Sequence, residues 1–580
     1  MGVKDRQEKA ERALHDQTNI LPRSQLIVVF ATLAVTLLIC FLDQNGVSVA
    51  LPTLAADLHA ESTVSWAGTS SLIANTTFQM LYGRLSDIFG RKAVYLGAIG
   101  LLVAADLLCG LSRSAAMFYV FRGVAGIAGG GVTNLSMIIV SDVVTLEQRG
   151  KYQGILGSMV GLGNVVGPFL AAVFVERTTW RAFFYTLAPM AAVVFATSCI
   201  FLPSKPPTTG VKDGLKKIDY AGSLTSSIAV IFLLIPISGG GSYFPWDSPM
   251  VIAMLVIGSC ALVLFVVIEK KIARLPMMPV QLFKNPVVVV MLVQSFLFGA
   301  VYQAYLYYIP LYLQNAHGYE ALISAAIYSS LVGVQTVSSI LSGQYISRRK
   351  RYGEVIQLGF GTWTLGSGLT LLYGRHTSVG VIIVPLMIIG VGVGCVFQPT
   401  LVALQAHSPK SRRAVIISNR NFFRAAGGAV GLAVSAAVLQ AALKSNLPPE
   451  YKYLARQTYT RPTELPAADR DRVLDAYMAA SRAVFILQVP LIGAAFIGTF
   501  FIKDRGLEPP EDVVPERAAA SAHALPEVPG AQGEKNGRAQ ENILMGATQK
   551  RQANKAEHSD TTDGEGASSI DVEKQPDRIS

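Results

Sequence analysis

The sequence predicts an all-α integral membrane protein of fourteen transmembrane helices, arranged as two pseudo-repeated six-helix bundles with two helices inserted between them. Three observations carry that expectation. The first is composition. Of 580 residues, 51% are hydrophobic and only 15% charged, with a mean hydropathy of +0.42; soluble domains carry about 25% charged residues. The second is a succession of fourteen apolar windows, each close to the roughly 20 residues a helix needs to cross a bilayer core of about 30 Å. The third is an internal repeat of glycines and arginines.

The windows lie at 26–50, 66–82, 93–111, 117–140, 153–174, 182–202, 220–238, 250–268, 288–310, 321–343, 356–373, 380–402, 415–440 and 482–502. Helices are required because lipid offers no partner to backbone N–H and C=O groups. Residues 1–25 are polar and lack the short apolar core of a signal peptide, so they read as a cytosolic arm. Residues 26–202 hold the first six windows, 203–287 the two inserted helices with their flanking loops, and 288–502 the last six. A long outer loop, 441–481, contains Pro448-Pro449 and several charges and has room for short amphipathic helices. From 503 to 580 the chain is rich in Glu, Pro, Ala, Gln, Lys and Asp, the composition of a disordered cytosolic tail.

The net charge of +11 has a topological explanation. With the N-terminus inside, six inner loops carry twenty Lys and Arg residues against eleven on the outer side. The excess of positive charge inside sets this orientation, and an even number of helices returns the C-terminus to the cytosol. Nucleic-acid binding is therefore not needed to explain the charge. The five cysteines all fall in apolar runs without a CxxC pair or a Cys/His cluster, so neither a disulfide framework nor a metal site is indicated. No G-x-x-x-x-G-K-[S/T] occurs, since Gly150-Lys151 is followed by Tyr152. An enzyme or ATP-driven pump is not expected, and no cofactor or obligate protein partner is called for.

The repeat is visible at an offset of 264. Gly163 and Gly167 in the fifth window fall on Gly427 and Gly431 in the thirteenth; Gly126 and Gly130 in the fourth fall on Gly390 and Gly394 in the twelfth; Arg149 falls on Arg413. At 260, Gly83 falls on Gly343 and Arg91 on Arg351. Two related six-helix halves are what a rocking transporter needs, with its substrate site between them near the midplane.

Four segments carry candidate chemistry. The loop after the second window reads Gly83-Arg-Leu-Ser-Asp87-Ile-Phe-Gly90-Arg91-Lys92. Its glycines permit a tight turn, and Asp87 can accept charge-assisted hydrogen bonds from Arg91 or from a neighbouring helix N-terminus, forming a latch. The fifth window carries Gly163-Asn-Val-Val-Gly167-Pro168. Glycines four apart let helices approach closely, and Pro168 removes one backbone hydrogen bond. In the fourth window Arg122 precedes Gly126, Gly129, Gly130 and Gly131. It stands about 12 Å from the outer end at 1.5 Å per residue, where a charge is costly and functional by default. In the first window Asp43 lies within Leu42-Asp43-Gln-Asn-Gly-Val-Ser-Val-Ala50-Leu51-Pro52. Asp43 and Asp106 in the third window lie at similar depth, so Arg122 has three options: Asp43, Asp106, or neither.

These segments resemble a known family. The 83–92 loop is similar to the signature G-x-L-a-D-r-x-G-r-k of the major facilitator superfamily at every fixed position. The 163–172 segment resembles the G-x-x-x-G-P-x-x-G-G motif of that family's antiporters, with Ala171 and Ala172 for the last two glycines. The Arg122 segment resembles R-x-x-q-G-x-g-a, with Ala125 for the glutamine, and the Asp43 segment resembles the first-helix motif of fourteen-helix drug:proton antiporters. Further similarities to fungal members run through Asp142–Gly154, Trp180–Phe184 and Tyr307–Gln314, so the resemblance covers about residues 26–502. It implies a major facilitator fold and alternating access driven by a proton gradient. It also implies export of an amphipathic small molecule, such as a toxin, secondary metabolite or drug, with the plasma membrane as the expected site and a vacuolar or vesicular membrane as the alternative. Asp43 and Arg122 would then serve proton coupling, Gly83, Asp87, Gly90 and Arg91 the latch, and Gly163, Gly167 and Pro168 the antiporter motif. Import of a siderophore or another nutrient is the alternative.

Three residues are expected at a substrate cavity. Tyr302 and Tyr305, in the ninth window, are deep enough to stack on a flat substrate. Arg424 in the thirteenth is about ten residues in, about 15 Å from the helix end, and faces a wet cavity or a partner. Arg420, one turn before it, is expected to snorkel to the inner surface.

Overall fold

A computed structural model describes residues 19–507 apart from 61–62, 65, 205–210, 241–243 and 457–466, together with residues 7, 10 and 11. Most of the 1–25 arm, and the tail from 508 onward, lie outside the described residues. Fourteen long helices follow the fourteen windows: α1 (Arg23–Asp57), α2 (Trp66–Phe89), α3 (Arg91–Gly110), α4 (Ala115–Val143), α5 (Leu146–Arg177), α6 (Trp180–Phe201), α7 (Tyr220–Gly239), α8 (Pro249–Lys271), α9 (Pro286–Asn315), α10 (Ala321–Arg349), α11 (Gly353–Leu369), α12 (Val379–Phe397), α13 (Arg413–Asn446) and α14 (Ala467–Thr499). Among the described residues there is no strand beyond an isolated bridge between Gly240 and Phe244.

Local chemistry sets several helix starts. Pro249 and Pro286 occupy first-turn positions of α8 and α9, where the missing N–H is no loss. Ser114 and Asp219 cap α4 and α7 by accepting from Met117 N–H and Gly222 N–H. A window marks only the bilayer-crossing stretch, so helices overrun it. α14 begins at Ala467, fifteen residues before its window, and with α13 reaching Asn446 the described part of the outer loop is reduced to a 3-10 turn, Pro449–Arg456. The twelfth window is split at Gln398-Pro399 into α12 and a short helix, Pro399–Ala406, because Pro399 has no N–H to continue the ladder.

Thirteen of the helices are long and apolar enough to cross a bilayer on their own, and α2 is not among them. Its buried residues include Ser71, Thr76, Thr77 and Gln79. Thr76 and Thr77 return their hydroxyls to the Leu72 and Ile73 carbonyls at 2.8 Å, so these polar atoms are already satisfied. α2 packs chiefly on other helices, α4 and α13 foremost, which removes the need for an apolar surface.

The repeat shows itself as repeated packing. A Cβ on Gly126 of α4 would meet the Ser71 carbonyl of α2; one on Gly390 of α12 would meet the Leu331 carbonyl of α10. Gly163 and Gly167 of α5 pack on Phe41, Leu42 and Gly46 of α1, as Gly427 and Gly431 of α13 pack on Phe296 and Ala300 of α9. Helices α1–α6 and α9–α14 are thus two related bundles, and α7 and α8 pair with each other. α7 also packs against α2 and α13, where the bundles meet. α8 turns Ile252, Val256, Leu262 and Val263 outward, the apolar face a lipid-facing helix presents.

Candidate functional site

The signature loop closes one end of the molecule. α2 stops at Phe89 and α3 starts at Arg91, so Gly90 alone makes the turn; its φ of 89° is a conformation that glycine adopts without strain. Arg91 Nη1 stands 2.7 Å from Asp87 Oδ1, and Arg91 Nε donates to Asp142 Oδ2 at 2.9 Å. The other Asp142 oxygen accepts from Arg413 Nη1 of the opposite bundle at 3.1 Å. The chain Asp87–Arg91–Asp142–Arg413 therefore couples the loop to the other half. Asp142 is the member that sequence reasoning missed. A signal existed: it lies seven residues before Arg149, whose repeat equivalent is Arg413.

More bonds join the halves at this end. Arg149 Nη1 reaches Gln405 Oε1 at 3.1 Å, Lys350 Nζ reaches Glu147 at 2.5 Å, and Lys151 N–H donates to Ser347 Oγ at 2.9 Å. Glu11, in the N-terminal arm, accepts from Arg84 at 3.1 Å and Arg412 at 2.7 Å, one from each half. Repeat-equivalent glycines mark both seams. Gly83 of α2 lies on Ser418 and Ala414 of α13, and Gly343 of α10 lies on Gly150 and Gly154 of α5. A Cβ on Gly150 would stand 2.8 Å from the Gly343 carbonyl oxygen, nearer than packed atoms allow. At the opposite end the ion pairs among the described residues stay within one bundle. Arg181 binds Asp57 at 2.5 Å, its hydrogen bond holding that carboxyl below the usual range, and Arg375 binds Asp471 and Asp475.

This arrangement gives a first prediction. Asp87→Ala and Asp142→Ala are expected to lower the maximal transport rate far more than substrate affinity, because the network lies away from the molecular centre and holds one end shut. Rate and affinity measured in reconstituted vesicles check this; weakened binding at an unchanged maximal rate would contradict it.

The α5 glycines split between two faces. Gly163 and Gly167, with Pro168, lie where α5 packs on α1 of its own bundle, whereas Gly150, Gly154, Gly157 and Gly161 run along the seam with α10. α5 remains one continuous helix through Pro168. Beside that helix, Arg122 pairs with Asp43, Nη1 to Oδ1 at 2.6 Å, both side chains about 1% exposed. The structure thus selects Asp43 among the three options. Asp106 is also fully buried close by, and no donor reaches either of its oxygens.

At the centre a polar chain crosses from one bundle to the other. Asn45 of α1 donates to Asn164 of α5 at 2.9 Å, Asn164 donates to Tyr302 of α9 at 3.0 Å, and Tyr302 donates to Gln335 of α10 at 3.0 Å. Beside it, the guanidiniums of Arg420 and Arg424 lie over the Phe397 ring, 4.9 and 5.5 Å from its centroid. Arg424 is half-buried with its Nε unpartnered. Arg420 does not snorkel to the surface. It is 1% exposed and donates to the Phe397 carbonyl and to Asn421 Oδ1. The break at Gln398-Pro399 explains this, because it leaves the Phe397 carbonyl without its usual i+4 N–H donor, free to accept from Arg420. Gln398 itself is buried against Gly157 of the other half, with both its amide atoms unpartnered. Tyr305 is corrected. Its ring stacks on Phe485 of α14 and its hydroxyl meets Thr370, so it belongs to the interior of the second bundle and not to the junction.

Among the described residues no carboxylate pairs with Arg420 or Arg424. Two cations one turn apart, with amide and phenol groups around them, can hold an anion with two or more oxygens. No group of His, Cys, Asp and Glu suited to a metal occurs among the described residues.

Closed helix seams, two repeated bundles and a polar centre between them define a transporter of small molecules in a membrane. The chain belongs to the major facilitator superfamily, whose family model matches residues 33–432. It is 50% identical over 509 residues, 86% of this chain and 76% of the relative, to "Citrate exporter 1" of Yarrowia lipolytica. It is 32% identical to "Efflux pump dotC" of Dothistroma septosporum, over 73% of each chain. The human organic anion transporter MFSD10 shares the fold, with a TM-score of 0.56 over 83% of this chain and all of that one, at 15% identity.

Proposed function

We propose that the protein exports a small organic polycarboxylate, of the size and charge of citrate, by alternating access in exchange for protons. The observation that carries this reading is the Arg420–Arg424 pair, the first buried and the second half-buried at the junction of the two halves, with no carboxylate partner among the described residues. Two adjacent guanidiniums repel each other in a medium of low dielectric. A bound carboxylate relieves that repulsion, so the protein's own strain selects an anion. The 50% identical relative named as a citrate exporter supports the same substrate class. The sequence expectation of an amphipathic toxin or drug is narrowed accordingly, since Tyr305 is taken up in packing and Tyr302 in hydrogen bonds.

With both termini cytosolic, as the loop charges favour, the end tied by Asp142 and Arg413 faces the cytosol, so the structure is shut toward the cytosol. Asp43 and Arg122 form the proton-coupling pair and the signature loop the latch. The plasma membrane is the site an exporter of a cytosolic acid would occupy.

The test uses purified protein in liposomes. Labelled citrate should undergo counterflow, and its flux should follow a pH gradient with protons moving the opposite way, with no ATP present. Absence of citrate, isocitrate and malate counterflow, with extrusion of an amphipathic dye in its place, would restore the toxin or drug reading favoured by the efflux-pump relative. Net accumulation in the import direction under a physiological gradient would instead favour the importer.

A further inference from the structure

The first bundle contains an acid that the transport scheme has not used. Asp106 lies in α3, one turn before the helix ends at Gly110, and is 0% exposed. Neither of its oxygens has a hydrogen-bond partner. An ionised carboxylate in that setting has lost its water and gained no donor, an arrangement that proteins and membranes both avoid.

Its surroundings supply one cation and one competing acid. From α1 come Asp43 and the Cys40 thiol; from α4 comes Arg122; α3 itself adds Cys109. α6 brings the Phe184 ring beside Arg122, while its Arg181 is bound to Asp57 at the helix end. α2 adds no charge at this level, because Arg84 and Asp87 lie at the signature end. Arg122 is already committed to Asp43, Nη1 to Oδ1 at 2.6 Å, while its Nε is also without a partner. Asp43 and Arg122 together are neutral. An ionised Asp106 would leave this dry pocket with an uncompensated negative charge; a protonated one leaves it neutral.

We propose that Asp106 is held protonated beside the Asp43–Arg122 pair in this closed state, so that the exchanged proton is carried by the two carboxyls jointly and leaves from Asp106. This rests on the proton-coupled reading above and deepens it. Release of the proton makes Asp106 an acceptor. The idle Arg122 Nε is the donor available to it, and Arg122 is then contested between two carboxylates. That contest loosens the tie between α1 and α4 inside the first bundle. The balance is simple: one proton leaves the Asp106 oxygen for water, and the pocket gains one negative charge, which water must enter to solvate.

The experiment has two readouts on purified full-length protein. Asp106→Asn has the shape of the protonated acid but exchanges no proton. It is expected to retain citrate counterflow, which needs no net proton movement, and to lose flux driven by a pH gradient. Independently of any substrate, infrared spectra of the wild type at neutral pH should contain the carbonyl band of a buried protonated carboxyl that is absent from Asp106→Asn and shifted in Asp106→Glu. Gradient-driven flux that survives in Asp106→Asn would overturn the proposal. A wild-type spectrum without the band, or a band unmoved by Asp106→Glu, would also overturn it, and the latter comparison holds even if the Asn variant fails to fold. If the wild type carries no citrate, the substrate reading fails while the infrared band still decides the state of Asp106.

Discussion

Replacing Arg420 by Leu is expected to abolish carboxylate transport, and replacing Arg424 by Leu to reduce it nearly as far, at matched abundance in the membrane. Each guanidinium offers charge-assisted hydrogen bonds worth about 1.5–3 kcal/mol, or roughly ten- to hundredfold in affinity. Arg420 has a second duty. It donates to the Phe397 carbonyl freed by the break at Pro399 and to Asn421, whose amide in turn donates to Asn134 across the halves at 3.0 Å. Arg420→Leu therefore loses both the anion contact and the register of the broken twelfth helix. Lysine distinguishes the two roles, because it keeps the charge but not the planar fork. Arg424→Lys should retain part of the transport with weakened affinity, and Arg420→Lys should lose most of it. Counterflow of labelled citrate measures both. Wild-type flux in Arg424→Leu would remove that residue from the site, and equal tolerance of lysine at both positions would remove the structural duty of Arg420.

Asp43→Asn is expected to abolish proton-driven transport and to destabilise the first bundle. Arg122 and Asp43 are both almost wholly buried, and removing one partner from such a pair costs about 3–5 kcal/mol because the other charge is stranded. The double variant Asp43→Asn/Arg122→Gln restores neutrality. It should regain thermal stability in detergent while remaining unable to use a pH gradient. Gradient-driven flux in either variant, compared at equal protein per vesicle, would show that the coupled proton does not pass through Asp43. Stability unchanged in the single variant would show that Arg122 has another partner ready.

Much of this was legible in the chain because lipid imposes one rule everywhere. Every backbone polar group must be satisfied within its own segment, so a run of about 20 apolar residues is a helix with little competition from other structures. The signature loop was legible for a related reason. Asp87 and Arg91 are four apart across a single-glycine turn, and their contact is local. What the loop does was less visible, because Asp142 and Arg413 lie 271 residues apart in sequence. Helix ends were also poorly marked, as α14 shows: the polar stretch before its window continues the backbone ladder in water as readily as in lipid.

The sequence by itself determined the fourteen helices, the two related halves, and the presence of charges where lipid would penalise them. Those properties depend on composition along one segment or on matches at a fixed offset. Only the tertiary structure decided which charges meet. Asp43 and Asp106 stand at similar depth in neighbouring helices, and the rotation of α1 and α3 about their axes gives Arg122 to the first and leaves the second without a donor. Arg420 and Arg424 share a face by spacing, but the break at Pro399 supplies the carbonyl that draws Arg420 inward rather than to the surface. Tyr302 and Tyr305 are three residues apart and only about 60° around the helix, and their packed neighbours put one at the junction of the halves and the other inside the second bundle. A helix fixes the spacing of its side chains, but its neighbours fix what each of them faces.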